Sequence, residues 1–256
     1  METALITGAS KGIGLELAYL FAKDGYDLLL VARSKDRLEE IKKDIESKYD
    51  IEVNILAHDL SVPDSAKRVE EYCIVKGLDV TVLVNNAGFG DSGDFATSDY
   101  KKQLAMVNLN VTALMELTRM FLPQMVECNE GKILNVASIA STIAGPKMAV
   151  YYATKAFVRS FTEAIHEEVK GTNICVTALC PGPVKTGFEE SAGLCGKRMF
   201  KVLPSANAKD VAMGGYKALH RNQAIYFHSM PIKFVNFLSK IAPRCISRKC
   251  TKWVNS

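Results

Sequence analysis

The sequence lacks long apolar runs, and none of its hydrophobic stretches approaches the ~18 residues that a helix needs to cross a bilayer. It contains only four histidines, and its seven cysteines do not show the paired spacing of a metal site. No linker rich in proline, glycine or serine divides the 256 residues, and no repeat is visible. We therefore expect one globular domain over residues 1–256, without a metal ion.

The first residues leave no space for an export signal. "METALITGAS" enters a predicted buried strand almost at once. An odd number of cysteines without such a signal indicates free thiols in a reducing compartment. We expect a cytoplasmic protein.

Acidic residues are scarce toward the C-terminus. Residues 197–256 contain 12 Lys and Arg and a single acid, Asp210, whereas the other 196 residues contain 20 Lys and Arg and 27 acids. This split indicates either an anionic partner or surface, or a solvated basic face. Nucleic-acid binding has only this basic tail in its favour, and we expect none.

Short apolar runs alternate with amphipathic stretches along the chain. Continuous rather than alternating apolarity is typical of strands that are covered on both faces, as in a parallel sheet. Residues 35–48 place Leu38, Ile41 and Ile45 at helical spacing. The alternation predicts an α/β fold with a doubly wound parallel sheet, a Rossmann fold. The predicted strands are 4–7, 27–32, 52–57, 80–84, 132–137 and 174–179.

A glycine-rich loop follows the first strand, in "LITGASKGIGLELAYLF". It leads into a helix, whose first backbone N–H groups attract an anion such as a phosphate. Gly8, Gly12 and Gly14 have the spacing G-x-x-x-G-x-G, and on spacing alone a turn without a ligand remains an alternative.

Further motifs make a family resemblance specific. "TGASKGIG" (7–14) resembles the TGxxxGIG cofactor loop of the short-chain dehydrogenase/reductase family, in its compact single-domain branch. "NNAG" (85–88), Ser138, the pair Tyr151-x-x-x-Lys155 and "PGPVKT" (181–186) follow the later strands, as in that family. The five motifs cover residues 3 to about 190. The resemblance implies an enzyme that interconverts a carbonyl group and an alcohol with a nicotinamide cofactor.

The end of the second strand distinguishes NAD from NADP. It reads Ala32-Arg33-Ser34, without the carboxylate that would bind the adenosine ribose and repel a 2′-phosphate. Arg33 and Lys11 are cations suited to that phosphate, so we expect NADP(H). The resemblance places Asp59 beside the adenine, with a helix cap as the alternative. The expected cofactor-binding residues are Thr7, Gly8, Ser10, Lys11, Gly12, Ile13, Gly14, Arg33, Asp59, Leu60, Asn86, Ala87, Gly88, Tyr151, Lys155, Pro181, Gly182, Val184 and Thr186.

Two adjacent tyrosines could pair with one lysine. Helical spacing brings either Tyr151 or Tyr152 within reach of Lys155, and only the family pattern selects Tyr151. In the family, this tyrosine gives its proton to the carbonyl oxygen, and Ser138 holds that oxygen. The Lys155 ammonium and the positive nicotinamide of the oxidised cofactor would both lower the pKa of the phenol, and Lys155 would bind the nicotinamide ribose.

A helix asparagine completes the catalytic set that the resemblance implies. It anchors a water of a proton relay in the family. We assign it to Asn108 in "VNLN", because Asn108 follows Val107 as in the family's pattern, and Asn110 is the alternative.

Substrate choice in the family lies in two C-terminal segments. We expect residues 185–207 to form a lid and 226–256 to form a basic, apolar segment with an amphipathic helix through Phe234, Phe237, Leu238 and Ile241. That segment has three interpretations, namely packing on the core or a dimer partner, a cover over the substrate pocket, and contact with a membrane surface. The apolar residues of the lid are Leu194, Met199, Phe200, Val202 and Leu203.

The tail and the "VARS" stretch resemble steroid and 3-ketoacyl reductases. We therefore expect an NADP(H)-dependent enzyme that interconverts a ketone and a secondary alcohol on a bulky apolar substrate, such as a steroid or bile acid. The alternatives are a 3-ketoacyl or general carbonyl reductase and a non-catalytic NADP-binding protein. As in the family, a homodimer or homotetramer would pack through helices around 98–127 and 148–170.

Overall fold

A computed structural model describes residues 2–193, 198, 202 and 205–256, and its seven strands form one parallel sheet. The order in the sheet is β3-β2-β1-β4-β5-β6-β7. The six predicted strands are confirmed to within two residues at each end, and the short β7 was not predicted. The strands are β1 Glu2–Thr7, β2 Asp27–Ala32, β3 Val53–Ala57, β4 Asp79–Asn85, β5 Gly131–Val136, β6 Ile174–Cys180 and β7 Ile225–Phe227.

Helices follow the strands, as the alternation of the sequence predicts. They are α1 Gly12–Lys23, α2 Lys35–Glu46, α3 Ser65–Lys76, α4 Tyr100–Val107, α5 Leu114–Cys128, α6 Ala149–Glu168, the short α7 Phe188–Ser191, α8 Ala208–His220, α9 Met230–Ile241 and α10 Arg244–Asn255. The predicted amphipathic helix α2 is confirmed, because its three periodic residues Leu38, Ile41 and Ile45 are all buried.

The sheet is covered on both faces. Successive residues of a strand point to opposite faces, and in β2 Leu28 and Leu30 pack in one apolar cluster with residues of α1, α2 and α8. Leu29 and Val31 pack in a second cluster with residues of α3 and α5. This double covering explains the continuous apolar runs, and it confirms the doubly wound α/β fold.

The strand order reverses between β1 and β4, which lie side by side although β2 and β3 come between them in the chain. In doubly wound sheets a ligand binds at such a reversal, beyond the carboxyl ends of the strands. The loops after β1, β4, β5 and β6 carry the motifs of the sequence, so the topology collects them at one edge.

The C-terminal segment contains the expected helix through Phe234, Phe237, Leu238 and Ile241, and a second helix follows it. The segment forms two helices, α9 and α10, with Ala242 and Pro243 between them, because a proline disfavours helical backbone in the residue before it. In the expected lid, Leu194, Met199, Phe200 and Leu203 lie outside the described residues, and Val202 is exposed. No helix within the described ranges is long and apolar enough to span a bilayer.

Candidate active site

The glycine-rich loop connects β1 to α1 in a conformation that requires glycine. Gly8 and Gly12 have φ of +66° and +60°, in the left-handed region that other residues rarely adopt. A Cβ atom on Gly14 would lie 2.5 Å from the Gly8 carbonyl oxygen, so the loop packs directly on its own helix. The side chain of Lys11, at the N-cap of α1, makes no capping hydrogen bond. The first N–H groups of this helix are therefore left to an anion.

Two side chains hold this loop against the loop after β4. Thr7 Oγ1 donates to the Val84 carbonyl oxygen at 3.2 Å and accepts from the backbone N–H groups of Asn86 and Ala87 at 3.0 Å each. Asn86 Nδ2 donates to the carbonyl oxygens of Thr7 and Gly8 at 2.9 and 3.1 Å. These bonds fix the relative position of the "TGASKGIG" and "NNAG" segments.

A cavity of about 300 Å³ lies at the reversal point of the sheet. All expected cofactor-binding residues except Thr7 and Gly14 line it. Thr7 is buried behind the loop, and Gly14 packs on Gly8, so both support the cavity from outside.

Arg33 and Asp59 lie at the end of the cavity near β2, and Lys11 also lines the cavity, with its Nζ 3.1 Å from where a Cβ atom on Gly187 would lie. Asp59 accepts from the N–H and hydroxyl groups of Ser61 at 2.9 and 2.7 Å, and α3 begins only at Ser65, so Asp59 is not a helix cap. Burial tends to raise the pKa of Asp59, but these bonds and the charge of Arg33 lower it below its usual value. This end of the cavity thus carries one cation and one ionised carboxylate, and a second cation lies toward the loop after β6.

Ser138, Tyr151 and Lys155 meet at the other end of the cavity. Ser138 follows β5, and Tyr151 and Lys155 lie one turn apart at the start of α6; all three side chains are buried. The Ser138 hydroxyl lies close enough to the Tyr151 hydroxyl to lower the pKa of that phenol. Lys155 Nζ donates to the Val136 carbonyl oxygen at 2.7 Å and lies 6.0 Å from the centroid of the Tyr151 ring.

Burial dominates the ionisation of this group. It raises the pKa of Tyr151 to about 12, although the Ser138 hydroxyl opposes the shift. Burial also lowers the pKa of Lys155 to about 8. The expected lowering of this pKa by an ionised Lys155 together with an oxidised nicotinamide concerns the protein with bound cofactor, and it stays a prediction. Tyr151 carries its proton at neutral pH.

Asn108 does not belong to this group, and the structure corrects that assignment. Its side-chain amide donates to the Ser61 carbonyl oxygen at 3.2 Å. Asn110 lies closer to Lys155, since a Cβ atom on Gly88 would be 3.0 Å from Asn110 Oδ1 and 3.4 Å from Lys155 Nζ.

Asn110 lies in a π-helical turn, Asn108–Ala113, between α4 and α5. Its amide donates to the Phe89 carbonyl oxygen at 3.0 Å and to Thr154 Oγ1 at 3.1 Å, and its Oδ1 accepts from the Phe89 N–H at 3.1 Å. The buried Asn110 thereby ties the loop after β4 to α6.

Tyr152 also lines the cavity, but its hydroxyl is directed to the C-terminus. It donates to Asn255 Oδ1 at 3.2 Å, and Asn255 Nδ2 donates to the Pro146 carbonyl oxygen at 2.9 Å. The rings of Tyr151 and Tyr152 meet edge to face at 6.1 Å. The sequence motifs gave no signal for Asn255.

An apolar wall stands beside the Tyr151 ring. Phe89, Met148, Tyr152 and Phe188 line the cavity there, and the Phe188 and Tyr151 ring centroids are 5.4 Å apart. Phe89 directly follows "NNAG", and Phe188, two residues after "PGPVKT", lies within the expected lid 185–207. Among the described residues, no three His, Cys, Asp or Glu side chains are grouped as a metal ion would require.

Comparison with known proteins agrees with this geometry. The model of the short chain dehydrogenase family matches residues 2–194. The very-long-chain 3-oxoacyl-CoA reductase of Rattus norvegicus is 35% identical over 193 residues, which cover 72% of this chain and 60% of that protein. The chain thus spans about 60% of the length of the curated relatives it matches.

Two solved structures extend the comparison. A short-chain dehydrogenase from Sphingobium yanoikuyae in complex with NADPH is 30% identical, with a TM-score of 0.81 over 90% of this chain and 89% of that chain. A structure from work on 7beta-hydroxysteroid dehydrogenase stereoselectivity is 23% identical, with a TM-score of 0.88 over 98% of this chain and 96% of that chain. The second likeness shows the same fold.

Proposed function

The chain belongs to the short-chain dehydrogenase/reductase family, and we propose that it interconverts a ketone and a secondary alcohol with NADP(H) as the cofactor. The observation that carries this proposal is the convergence of Ser138, Tyr151 and Lys155 on one cavity that the glycine-rich loop also lines. A non-catalytic NADP-binding protein would have no need of a buried phenol and a buried amine side by side, since each is costly to bury.

The residues at the cavity fit NADP(H). The N-terminus of α1 suits a pyrophosphate, Arg33 at the β2 end suits a 2′-phosphate, and Lys11 on the glycine-rich loop adds a second cation at the cavity. Lys155 uses one of its three donors on Val136, which leaves donors for the ribose hydroxyls next to the nicotinamide. When bound, the reduced cofactor would supply the hydride for a carbonyl carbon.

Tyr151 is the proposed proton donor in the direction of reduction. A phenol with a pKa of about 12 is protonated at neutral pH, which is the form that can give a proton to the carbonyl oxygen. Ser138 Oγ lies beside that phenol and accepts from the Ala140 N–H at 3.1 Å, so its rotamer is fixed. Its hydroxyl would hold the carbonyl oxygen in line with the phenol.

In the direction of oxidation the phenol must first lose its proton. The positive charge of the oxidised cofactor and an ionised Lys155 would both stabilise the phenolate. In this proposal Asn110 is a positioning residue, because the hydrogen bonds of its side-chain amide are made to Phe89 and Thr154.

The substrate proposed for this site is bulky and apolar. The aromatic and methionine side chains beside Tyr151 can bury hydrocarbon next to the reacting carbonyl group. The 35% identity with a very-long-chain 3-oxoacyl-CoA reductase supports a 3-oxoacyl thioester as the first substrate to test. A ketosteroid or keto bile acid is the second candidate, since a rigid apolar ring system would pack against the same apolar side chains.

The proposal is tested by NADPH consumption, followed by absorbance, with a long-chain 3-oxoacyl thioester, a ketosteroid and a small polar ketone. Faster turnover of either apolar substrate than of the polar ketone is expected. Equal turnover of all three would contradict an apolar site, and no consumption with any ketone while NADPH still binds would contradict catalysis itself.

Self-association and cellular location stay predictions. Met115 and Val126 on α5 and Phe157 on α6 are exposed apolar side chains in the regions expected to form a homodimer or homotetramer. They support that expectation, which light scattering of the purified chain can test.

A further inference from the structure

Helix α9 carries an apolar stripe that faces solvent. Met230, Phe234, Phe237, Leu238 and Ile241 are between 40% and 74% exposed. Their spacing of four, three, one and three residues places them along one side of the helix. We call these five residues the α9 stripe. A stripe of this kind normally faces the core of a protein, so an exposed one marks a surface that binds something apolar.

Cations dominate the helix that carries the α9 stripe and the helix that follows it. Helices α9 and α10 contain Lys233, Lys240, Arg244, Arg248, Lys249 and Lys252, all exposed, and no acid occurs anywhere in residues 211–256. None of these six side chains forms an ion pair with another described residue. The surface therefore combines apolar side chains with a concentrated positive charge.

We propose that α9 and α10 form a docking surface for an anionic lipid bilayer. An interfacial helix of this type buries its apolar side chains at the boundary of headgroups and acyl chains, while Lys and Arg contact anionic headgroups. The complementary charge is the reason for choosing an anionic rather than a neutral bilayer. This proposal concerns a different surface from the cavity and does not depend on the substrate.

Charge also argues against the other occupants of this surface. In a dimer in which this surface packs on itself across a two-fold axis, the six cations would face six identical cations. Such like-charge contact opposes association. A nucleic acid would pair with the cations but would leave the α9 stripe in water, because phosphate contacts make no use of apolar side chains.

The docking surface lies close to the cavity. On the side of α9 opposite the solvent, Ile232 is buried, and a Cβ atom on Gly182 of the cavity lining would lie 2.4 Å from Ile232 Cδ1. Helix α9 also contacts the turn Ile139–Thr142, directly after Ser138. One helix, about 10 Å across, thus separates the docking surface from the cavity. A docked enzyme would hold its cavity beside the bilayer.

The test is flotation of the whole chain with vesicles of phosphatidylcholine, with and without phosphatidylglycerol. We expect binding to the anionic vesicles only, weakened by high salt. The double variant Phe234→Ser/Phe237→Ser and the double variant Lys240→Glu/Arg244→Glu should each reduce binding at least about tenfold. Both pairs are exposed, so neither change removes a core contact.

Matched control variants distinguish binding by this surface from nonspecific hydrophobic or electrostatic binding. Ile74→Ser/Val75→Ser removes two apolar side chains that are 73% and 83% exposed on α3, and Lys76→Glu/Lys101→Glu makes the same change of charge elsewhere. Both controls should bind anionic vesicles like the wild type. Loss of binding in the controls as well would overturn the proposal.

Three further results would overturn it. They are no binding to anionic vesicles, equal binding to neutral ones, and binding that the α9 and α10 variants leave unchanged. Light scattering gives a further outcome for a protein that does not bind vesicles. If it showed an oligomer that the Phe234→Ser/Phe237→Ser variant no longer forms, the α9 stripe would be a contact between copies of the chain. Capture of an acidic polypeptide in the absence of vesicle binding would assign the surface to a protein partner instead.

Discussion

The hydroxyl of Tyr152 donates a hydrogen bond to Asn255 Oδ1 at 3.2 Å, across 103 residues of the chain. Both side chains are buried, and Asn255 also holds the Pro146 carbonyl oxygen. Tyr152 packs edge to face on Tyr151, so the last turn of α10 stabilises the wall of the cavity next to the proposed proton donor. The C-terminal helix is therefore part of the active-site architecture.

Asn255→Ala should raise KM for an apolar ketone by about tenfold and change kcat little. The substitution leaves the Tyr152 hydroxyl and the Pro146 carbonyl oxygen without their partner, at a cost of about 1–3 kcal/mol, but touches no reacting atom. Steady-state kinetics would measure the split. Tyr152→Phe removes the same hydrogen bond by deleting its donor. The free-energy cost of the double variant should therefore be smaller than the sum of the costs of the two single substitutions. Strict additivity, or a loss confined to kcat, would show that the contact does not shape the pocket; Lys249→Ala, at an exposed position of the same helix, is the control.

Arg33→Ala should weaken NADPH binding by about 10- to 100-fold and leave NADH binding nearly unchanged. The guanidinium would bind only the 2′-phosphate, and a hydrogen bond to a charged group contributes about 1.5–3 kcal/mol. Titration of the purified protein by fluorescence or calorimetry gives both dissociation constants. Lys35→Ala, at the exposed start of α2, is the control. An equal loss of affinity for NADPH and NADH would show that Arg33 does not bind the 2′-phosphate.

Burial of Lys155 makes stability depend on pH in a defined direction. Its pKa is about 8 in the folded protein and about 10.5 in the unfolded chain, so between these values the unfolded chain binds more protons. Stability contributed by this residue must then rise with pH from about 8 to about 10.5, as the folded protein ceases to bury a charge. Lys155→Met removes the titration. Urea unfolding of both proteins without cofactor should show that the free energy of unfolding of the wild type increases relative to that of the variant between about pH 8 and about pH 10.5. A difference in unfolding free energy that does not change with pH would contradict the buried charge.

Asn110 and Asn108 form a matched pair two residues apart. Asn110→Ala removes three buried hydrogen bonds, and we expect it to destabilise the protein by about 2–3 kcal/mol and to lower kcat, because the loop at Gly88 loses its connection to α6. Asn108→Ala removes one bond, to Ser61, and should change kcat less than about twofold. Thermal unfolding and initial rates distinguish the two. If Asn108→Ala had the larger effect on kcat, the corrected assignment would be wrong.

Much of the fold and the cofactor side of the site could be predicted from local sequence. Strands covered on both faces have continuous apolar runs, and the glycines of the phosphate loop are required by backbone geometry at Gly8 and Gly12. These features are short range, so a linear pattern contains them. The short β7 has no such pattern, because three partly buried residues are too few to show a period.

Other features depend on three-dimensional context. The π-helical turn at Asn108–Ala113 changes which asparagine faces Lys155, and helical spacing alone does not reveal it. The bond between Tyr152 and Asn255 joins distant segments, and no motif marks either end. The pKa of Tyr151 depends on how completely the folded protein removes the site from water, and the sequence alone does not give that burial.

The central claim is that Tyr151 gives the proton during reduction by NADPH, and one comparison tests it directly. NADPH consumption with a long-chain 3-oxoacyl thioester and with a ketosteroid is measured for the wild type, Tyr151→Phe and Tyr152→Phe, alongside NADPH binding. We expect Tyr151→Phe to lose about 10²–10⁴-fold in kcat, the range of general acid catalysis, with NADPH affinity within about threefold of the wild type. Tyr152→Phe should keep most of its kcat. A Tyr151→Phe protein that turns over at the wild-type rate would contradict the account.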